Sequence, residues 1–317
     1  MGVTSIEWTE RSINPLRCRN LKVKSRDTGV GHYCEKISAG CAKCYASEYQ
    51  RRVHMPAFGK VKTDQQRAEL GLEWFLDESK LEEVRRRKKP STWFWCDMTD
   101  LFGDWVKDEW IESCFKTMRE TPWHTHQILT KRPARMAEAM RERFVRDAEF
   151  ILNIHAGVTV ENQDSVSRIH FLYKTPAAKR FLSCEPLLGP IDLSKWLFSG
   201  PHDLPMVDQV IIGGESGHKA RPCNIAHIRD LLGQLERAGV NRFVKQLGRY
   251  CVAPQDDHAV QSWLLNGSPT PMSFPVGPGT NGTWEKLEDG TVHIPLKDKK
   301  GKDMNEWPTE FQIREEA

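Results

Sequence analysis

Three cysteines near the N-terminus are the residues best suited to chemistry. Cys34, Cys41 and Cys44 follow the spacing C-x6-C-x2-C in the segment CEKISAGCAKCYA. Thiolates are soft ligands, so three of them on one short loop indicate zinc, copper(I) or an iron–sulfur cluster. A structural zinc site closes its tetrahedron with a fourth protein ligand. A catalytic 4Fe–4S cluster leaves one iron without a protein ligand, so three cysteines suffice for it.

Two interpretations of this loop stay open on spacing alone. For zinc, the fourth ligand would be Cys18, His32 or His54, although the chain has no second ligand pair at regular zinc-finger spacing. For an iron–sulfur cluster, the position of the loop is suitable, because it precedes the first helix of a series of strands and helices. We therefore expect Cys34, Cys41 and Cys44 to hold an iron–sulfur cluster.

Apolar runs and amphipathic segments alternate along the chain, which predicts βαβ units and a parallel sheet. In the segment 225–238, for example, leucines and isoleucines recur along one face of a helix. The predicted fold is α/β: a partial or complete parallel (β/α) barrel over residues 1–250, with an irregular extension at 251–317 packed on it. Strands are predicted near 5–13 and at 93–96, 127–129, 154–160, 180–183, 207–212 and 241–244, and helices at 108–120, 133–143, 163–171 and 225–238.

Polar residues and glycines follow nearly every predicted strand at its C-terminal end. In a barrel these ends share one face, and active sites lie on that face. The simpler interpretation is that acidic residues there pair with basic ones and only close the mouth of the fold. We expect a site instead, formed by Thr99, Asp100, Lys131, Arg132, Glu161, Glu185, Gly213, Gly214, Glu215 and Lys245.

Composition excludes several other classes of protein. The 317 residues are 39% hydrophobic and 28% charged, which suits a folded core and excludes global disorder. A net charge of +3 does not by itself demand a nucleic-acid partner. The longest apolar runs have the length of strands, so we expect no membrane association. The first residues, MGVTSIEWTERS, carry charges where a signal peptide is apolar, so we expect a cytoplasmic protein.

The sequence resembles a family of phage and prophage proteins of unknown function that share a three-cysteine motif. The family is similar in layout to radical S-adenosylmethionine (radical-SAM) proteins, including spore photoproduct lyase. The cysteine spacing here differs from the usual C-x3-C-x2-C of those enzymes. The matching segments are SIEWTERSINP, GHYCEKISAGCAKCYASEY, FWCDMTDLFGDWV, HTHQILTKRPARM, GVTVENQ, RFLSCEPLLGPIDL, QVIIGGESGHKARP and FVKQLG.

This resemblance implies a barrel of the radical-SAM type and assigns roles to the candidate residues. Cys34, Cys41 and Cys44 would bind a 4Fe–4S cluster, and S-adenosyl-L-methionine would be the second cofactor. Catalysis would fall to Lys131, Glu185 and Glu215. Cofactor binding would fall to Thr99, Asp100, Glu161, Gly213, Gly214 and Lys245.

The predicted function is a radical-SAM enzyme that generates a 5′-deoxyadenosyl radical and modifies or repairs a nucleic-acid base or nucleotide. Its expected partners are that substrate and a reductant such as a flavodoxin or ferredoxin. The nucleic-acid assignment follows from the phage resemblance alone. The alternative is a non-catalytic module that binds nucleic acid or protein and carries a structural zinc at the cysteine cluster.

Overall fold

The computed structural model describes residues 4–22, 29–52, 64–146, 152–198, 205–217, 219–254, 256–257, 289–294, 296 and 298–315. The strands are β1 Arg11–Ile13, β2 Leu16–Asn20, β3 Val30–Gly31, β4 Leu72–Leu76, β5 Thr92–Trp95, β6 Thr125–Thr130, β7 Ile154–Thr159, β8 Lys179–Cys184, β9 Gln209–Gly213, β10 Cys223–Asn224, β11 Asn241–Gln246, β12 Cys251–Pro254 and β13 Thr291–Ile294. The helices are α1 Tyr45–Arg52, α2 Asp64–Leu70, α3 Glu78–Arg86, α4 Asp108–Glu120, α5 Pro133–Arg146, α6 Arg168–Tyr173, α7 Ser194–Leu197 and α8 Ile225–Ala238.

The chain forms two compact units, each of which contains strands of the main sheet, and the boundary between the units falls within β8 in the sequence. The first unit comprises Met1–Thr159 and Ser167–Phe181. Its strands follow the order β1-β5-β6-β7-β8, and the pairs β1–β5, β5–β6 and β6–β7 are parallel. A second, antiparallel sheet in this unit has the order β3-β2-β4.

The second unit comprises Val160–Val166 and Leu182–Ala317. Its part of the main sheet has the order β8-β9-β11, with β9 and β11 parallel. A small sheet of order β10-β12-β13 holds the described part of the C-terminal region, where β12 and β13 are antiparallel. The chain end also pairs with β11, because Val244 N–H donates to the carbonyl of Ile313 at 2.8 Å.

The predicted α/β class with a parallel sheet is confirmed, whereas the barrel type and the division at residue 250 stay predictions. Two predicted helices have the observed bounds, Asp108–Glu120 and Ile225–Ala238. The predicted helix at 163–171 was wrong in part, since Gln163–Ser165 is a short 3-10 helix and α6 begins at Arg168. None of the helices within the described ranges combines the length and apolar character needed to cross a membrane.

Helix α8 shows why these segments fold as they do. Its apolar residues bury one face of the helix, with Ile228, Leu231 and Leu235 wholly inaccessible to solvent. The Asn224 side chain caps the N-terminus by accepting the N–H of Ala226 at 2.9 Å. Gly239 ends the helix in the left-handed conformation at φ 67°, where a side chain would be strained.

A buried polar chain joins β5, β6 and α4. The indole N–H of Trp95 donates to Nδ1 of His126 at 3.0 Å, so the ring proton of neutral His126 lies on Nε2. That Nε2 is 3.0 Å from the Thr121 hydroxyl, which itself donates to the carbonyl of Thr117 at 2.7 Å. Burial, together with the nearby His124, lowers the pKa of His126 to about 3.

This lowered pKa predicts that acid destabilises the fold. Unfolded histidine has a pKa of about 6.5, so between pH 6.5 and 3 the unfolded state binds a proton that folded His126 does not. Its contribution to stability is complete above pH 6.5 and is lost at up to about 1.4 kcal/mol per pH unit below it. We expect a His126→Gln variant to melt at a lower temperature at pH 7 but to lose less on acidification. If the melting temperatures of the two proteins fell equally over this pH range, the acid sensitivity would not come from His126.

Candidate functional site: a cysteine loop at the strand ends

The three cysteines lie on the loop between β3 and α1 in the first unit. The loop contains a 3-10 helix, Ala39–Lys43, that begins after Ser38. Cys41 lies inside this helix and is 8% exposed, whereas Cys34 and Cys44, on either side of it, are half-buried. The tight turn brings the middle cysteine inward because Cys41 N–H donates to the carbonyl of Ser38 at 3.0 Å.

The surroundings of Cys34 and Cys41 shift the pKa values of these two thiols in opposite directions. Burial raises the pKa of Cys34, and the negative charges of Asp100, Cys44 and Cys41 raise it further. Burial would also raise the pKa of Cys41, but Lys131 and the hydrogen bonds from Ser38 and the loop backbone outweigh it, so that pKa is lowered. The Lys131 ammonium lies 3.6 Å from Sγ of Cys41 and 3.2 Å from Oγ of Ser38. Lys131 therefore favours the thiolate at Cys41.

Three contacts tie the cysteine loop to the polar residues that follow β5 and β6. The Tyr45 hydroxyl donates to the carbonyl of Asp97. The Thr99 hydroxyl donates to the carbonyl of Tyr33, the residue before Cys34. The loop is thus held at both ends, before Cys34 and after Cys44.

The third contact is an ion pair between Arg132 and Glu35, the neighbour of Cys34. The Arg132 side chain is only 10% exposed and also lies 3.8 Å from Asp100 and 3.4 Å from Asp104. Burial raises the pKa of Glu35, although Arg132 opposes the effect. Glu35 was missed in the sequence, where only its position beside Cys34 could have indicated it.

Asp100 fastens the ends of β5 and β6 together. Its Oδ1 accepts the N–H of Phe102 at 2.9 Å and the hydroxyl of Thr130 at 2.7 Å. Its Oδ2 accepts the N–H of Lys131 at 3.0 Å. Asp100 is 6% exposed and bonded to three donors, and these contacts hold the backbone that carries Lys131 and Arg132.

A short turn links β5 to Asp100 and is held from β1. Asn14, which follows β1, donates to the Asp97 carboxylate and accepts the N–H of Met98 at 2.9 Å. Cys96 begins this turn with φ 64°, a left-handed conformation that is rare for residues other than glycine. Burial raises the pKa of Asp97 despite its hydrogen bonds to Asn14 and Ser12.

The cysteine loop fits an iron–sulfur cluster in donor chemistry. The charges of Cys41 and Cys44 raise the pKa of Cys34, and the ammonium of Lys131 and the hydroxyl of Ser38 lie beside Cys41. The fit is one of donor type alone: in the described part of the chain no His, Cys, Asp and Glu side chains, these three cysteines included, form a group of three or more that could hold a metal ion. The proposed fourth zinc ligands are placed only in part: Cys18 lies on β2, Nδ1 of His32 donates to the carbonyl of Leu16 at 3.1 Å, and His54 lies outside the described residues.

Two further strand-end residues pair within the second unit. The ammonium of Lys245 lies 3.0 Å from Oε1 of Glu185, and both side chains are largely buried. Ser183 donates to the other carboxylate oxygen at 3.3 Å. Gly213 makes room for this pair, because a Cβ on it would lie 2.9 Å from Oε1 of Glu185.

The remaining predicted site residues of the second unit have local partners. Arg221 donates to both carboxylate oxygens of Glu215, through its backbone N–H to one at 2.8 Å and through its guanidinium to the other. Glu161 is 1% exposed and accepts the Ser165 hydroxyl at 2.9 Å. A Cβ on Gly214 would lie 2.6 Å from the carbonyl of Leu247, so this glycine serves close backbone packing.

Comparisons with known proteins identify a family and nothing beyond it. A family model described as Protein of unknown function (DUF5131) matches residues 3–273. No curated protein and no solved structure matches the chain.

The contacts of Asp100 predict a stability difference between two neighbouring carboxylates. Asp100→Asn replaces an acceptor oxygen with an N–H donor among donors, so we expect the free energy of unfolding to fall by about 1–3 kcal/mol. Asp104→Asn is the matched control, since Asp104 also pairs with Arg132 but its side chain is 79% exposed. An exposed pair contributes less than about 1 kcal/mol. Urea or thermal unfolding measures both, and equal losses would contradict the positioning role of Asp100.

Proposed function

The chain belongs to this family of unknown function, and we propose that it is an iron–sulfur enzyme of the radical-SAM type. The observation that carries the proposal is the cysteine loop held against the ends of parallel strands, with the Lys131 ammonium 3.6 Å from Sγ of Cys41. Active sites of parallel α/β proteins lie at the C-terminal ends of their strands. The proposed fold is accordingly a barrel of the radical-SAM type.

Each residue of the cysteine site has a proposed task. Cys34, Cys41 and Cys44 would hold a 4Fe–4S cluster, which would supply one electron for the cleavage of S-adenosyl-L-methionine into methionine and a 5′-deoxyadenosyl radical. Lys131 compensates thiolate charge at Cys41, in addition to the catalytic role predicted for it. Thr99 and Asp100 are proposed to bind the amino group of S-adenosyl-L-methionine. Their present bonds to Tyr33, Phe102, Thr130 and Lys131 pre-organise that edge of the sheet.

The residues of the second unit have proposed tasks of their own. Glu185, which forms a buried ion pair with Lys245, is proposed to act on the substrate, and Lys245 is a proposed cofactor contact. Glu215 is a less accessible candidate because Arg221 occupies its carboxylate. Glu161, Gly213 and Gly214 stay proposed cofactor contacts.

The proposed partners are a nucleotide or nucleic-acid base as substrate and a flavodoxin or ferredoxin as reductant, in the cytoplasm. The cysteine loop exposes Lys36, Ile37 and Lys43 beside the half-buried Cys34 and Cys44. Two cations flanking an apolar side chain suit a negatively charged electron donor, because complementary charge accelerates encounter.

A second candidate function is a binding module with a structural zinc at the cysteine loop. The pairing of Glu185 with Lys245 and of Glu215 with Arg221 supports it, because such pairs close a fold without chemistry.

Metal analysis distinguishes the two candidates. We expect protein purified without oxygen to be brown, with a broad visible band and about four irons and four sulfides per chain. Cys41→Ala should lose the iron, whereas the matched control Cys114→Ala should keep it, since Cys114 is buried in α4 away from the loop. A colourless protein with one tightly bound zinc and no cluster after reconstitution would exclude the radical mechanism.

Lys131 offers a more specific test of the site. A cation beside a cluster thiolate stabilises the reduced, more negative state, so removing it lowers the reduction potential. We expect Lys131→Met to keep its iron and to shift the midpoint potential by roughly −60 mV, the equivalent of one charged hydrogen bond. Lys43→Met, exposed on the same loop, is the control. An equal shift in both variants, or none in Lys131→Met, would contradict the contact between Lys131 and Cys41.

A further inference from the structure

A cavity lined by three arginines opens beside the cysteine loop within the first unit. Its volume is about 380 Å³, which suits a small organic ligand. Arg132, Arg135 and Arg168 line it, together with Asp104 and Phe171. Arg132 therefore belongs to both places, since it also pairs with Glu35 beside Cys34.

The charged residues that line the cavity are three arginines and one carboxylate, Asp104, so its lining is positive. Arg168 donates to the carbonyl of Thr159 at 2.6 Å. Arg135 donates to the carbonyls of Gly103 and Val106 and pairs with Asp108, whose side chain is 92% exposed. The exposed carboxylates Asp104 and Asp108 offset this charge weakly because water screens them, whereas Glu35 and Asp100 offset part of the charge of Arg132 from outside the lining.

Backbone groups add to this positive potential. Helix α5 begins at Pro133, and Ala134 and Arg135 of its first turn line the cavity. The first-turn N–H groups of a helix have no carbonyl partner within the helix, and the helix dipole is positive at this end. Three guanidinium groups and a helix start together form the chemical surroundings that phosphate groups occupy in proteins.

One side chain in the cavity suits the ring of a base. Phe171 lines the cavity with 39% of its surface exposed, and it follows Arg168 by three residues on α6. Residues three apart on a helix share a face, so the aromatic ring and the guanidinium point the same way. Aromatic stacking and arginine contacts to phosphate are the two means by which proteins hold unpaired nucleotides.

We propose that this cavity binds a nucleotide unit, with its phosphate at Arg132, Arg135 and Arg168 and its base against Phe171. The phosphate takes the place of Asp104 at Arg132, 3.4 Å away in this structure. The inference deepens the proposed function by naming the substrate class and rests on it for the link to the cysteine site. The binding itself requires no cluster.

Binding of fluorescein-labelled oligothymidylate of twelve residues, followed by fluorescence anisotropy, tests the site. We expect Arg168→Gln to weaken binding about tenfold, the effect of losing one charged hydrogen bond. The slope of log K against log salt should decrease by roughly 0.7, the value for one phosphate contact on a single strand. The matched control is Arg180→Gln, because Arg180 is also half-buried and donates to a backbone carbonyl, that of Thr175 at 3.1 Å.

Two further variants separate the base from the phosphate. Phe171→Leu should weaken oligothymidylate binding about tenfold, as the loss of one stacked base does. Tyr173→Leu, on the same helix with the same 39% exposure, should not weaken it. Asp104→Asn should strengthen binding, since it removes the carboxylate that competes for Arg132.

Competition with thymidine 5′-monophosphate and with inorganic phosphate identifies the source of the nucleotide unit. Saturable binding of oligothymidylate that the monophosphate displaces indicates a nucleic-acid chain. Binding of the monophosphate without saturable binding of oligothymidylate indicates a free nucleotide. Equal losses in Arg168→Gln and Arg180→Gln, or no saturable binding of either probe, would overturn the inference. Cys41→Ala protein is measured in parallel: binding that survives loss of iron supports the cavity, whatever metal analysis says about the cluster.

Discussion

The position of the cysteine loop depends on the carboxylate of Asp100, which reaches the loop through Lys131 and Arg132. Asp100 collects the N–H of Phe102, the hydroxyl of Thr130 and the N–H of Lys131, and so fixes where β6 ends. The direction of the next two side chains follows: Lys131 reaches Cys41, and Arg132 reaches Glu35. A buried carboxylate that accepts three hydrogen bonds is held rigidly, because water is not at hand to replace a donor that is lost. The end of β6 therefore determines the contacts that Lys131 makes with Cys41 and that Arg132 makes beside Cys34.

One side chain, Arg132, belongs to both proposed sites of the first unit. Arg132 pairs with Glu35 on one side and lines the arginine cavity on the other. An anion entering the cavity would draw on the guanidinium that also holds the loop beside Cys34. If the cavity binds an anion as proposed, Arg132 is the side chain through which its occupancy would affect the loop.

Much of the fold of this chain could be predicted from periodicity, because helices such as α4 and α8 bury one regular face and carry clear caps. The antiparallel sheet β2-β3-β4 was missed. Its strands alternate weakly, and β2 and β4 lie more than fifty positions apart, a pairing that local pattern cannot reveal. The residue types of the site could also be predicted, but their partners could not. Whether Glu215 faces a ligand or Arg221 depends on a turn between them that sequence spacing leaves undetermined.

Cys96 shows how a strand end can restrict change in the sequence over evolutionary time. Its backbone takes φ 64°, which only glycine adopts without strain, while its side chain is 2% exposed and fills the interior. Glycine there would relieve the backbone and leave a void, and a branched or bulky residue would fill the void at a higher backbone cost. Drift at position 96 should therefore be confined to small residues, and the turn that carries Asp97 to Asp100 should keep its length while the surface around it varies.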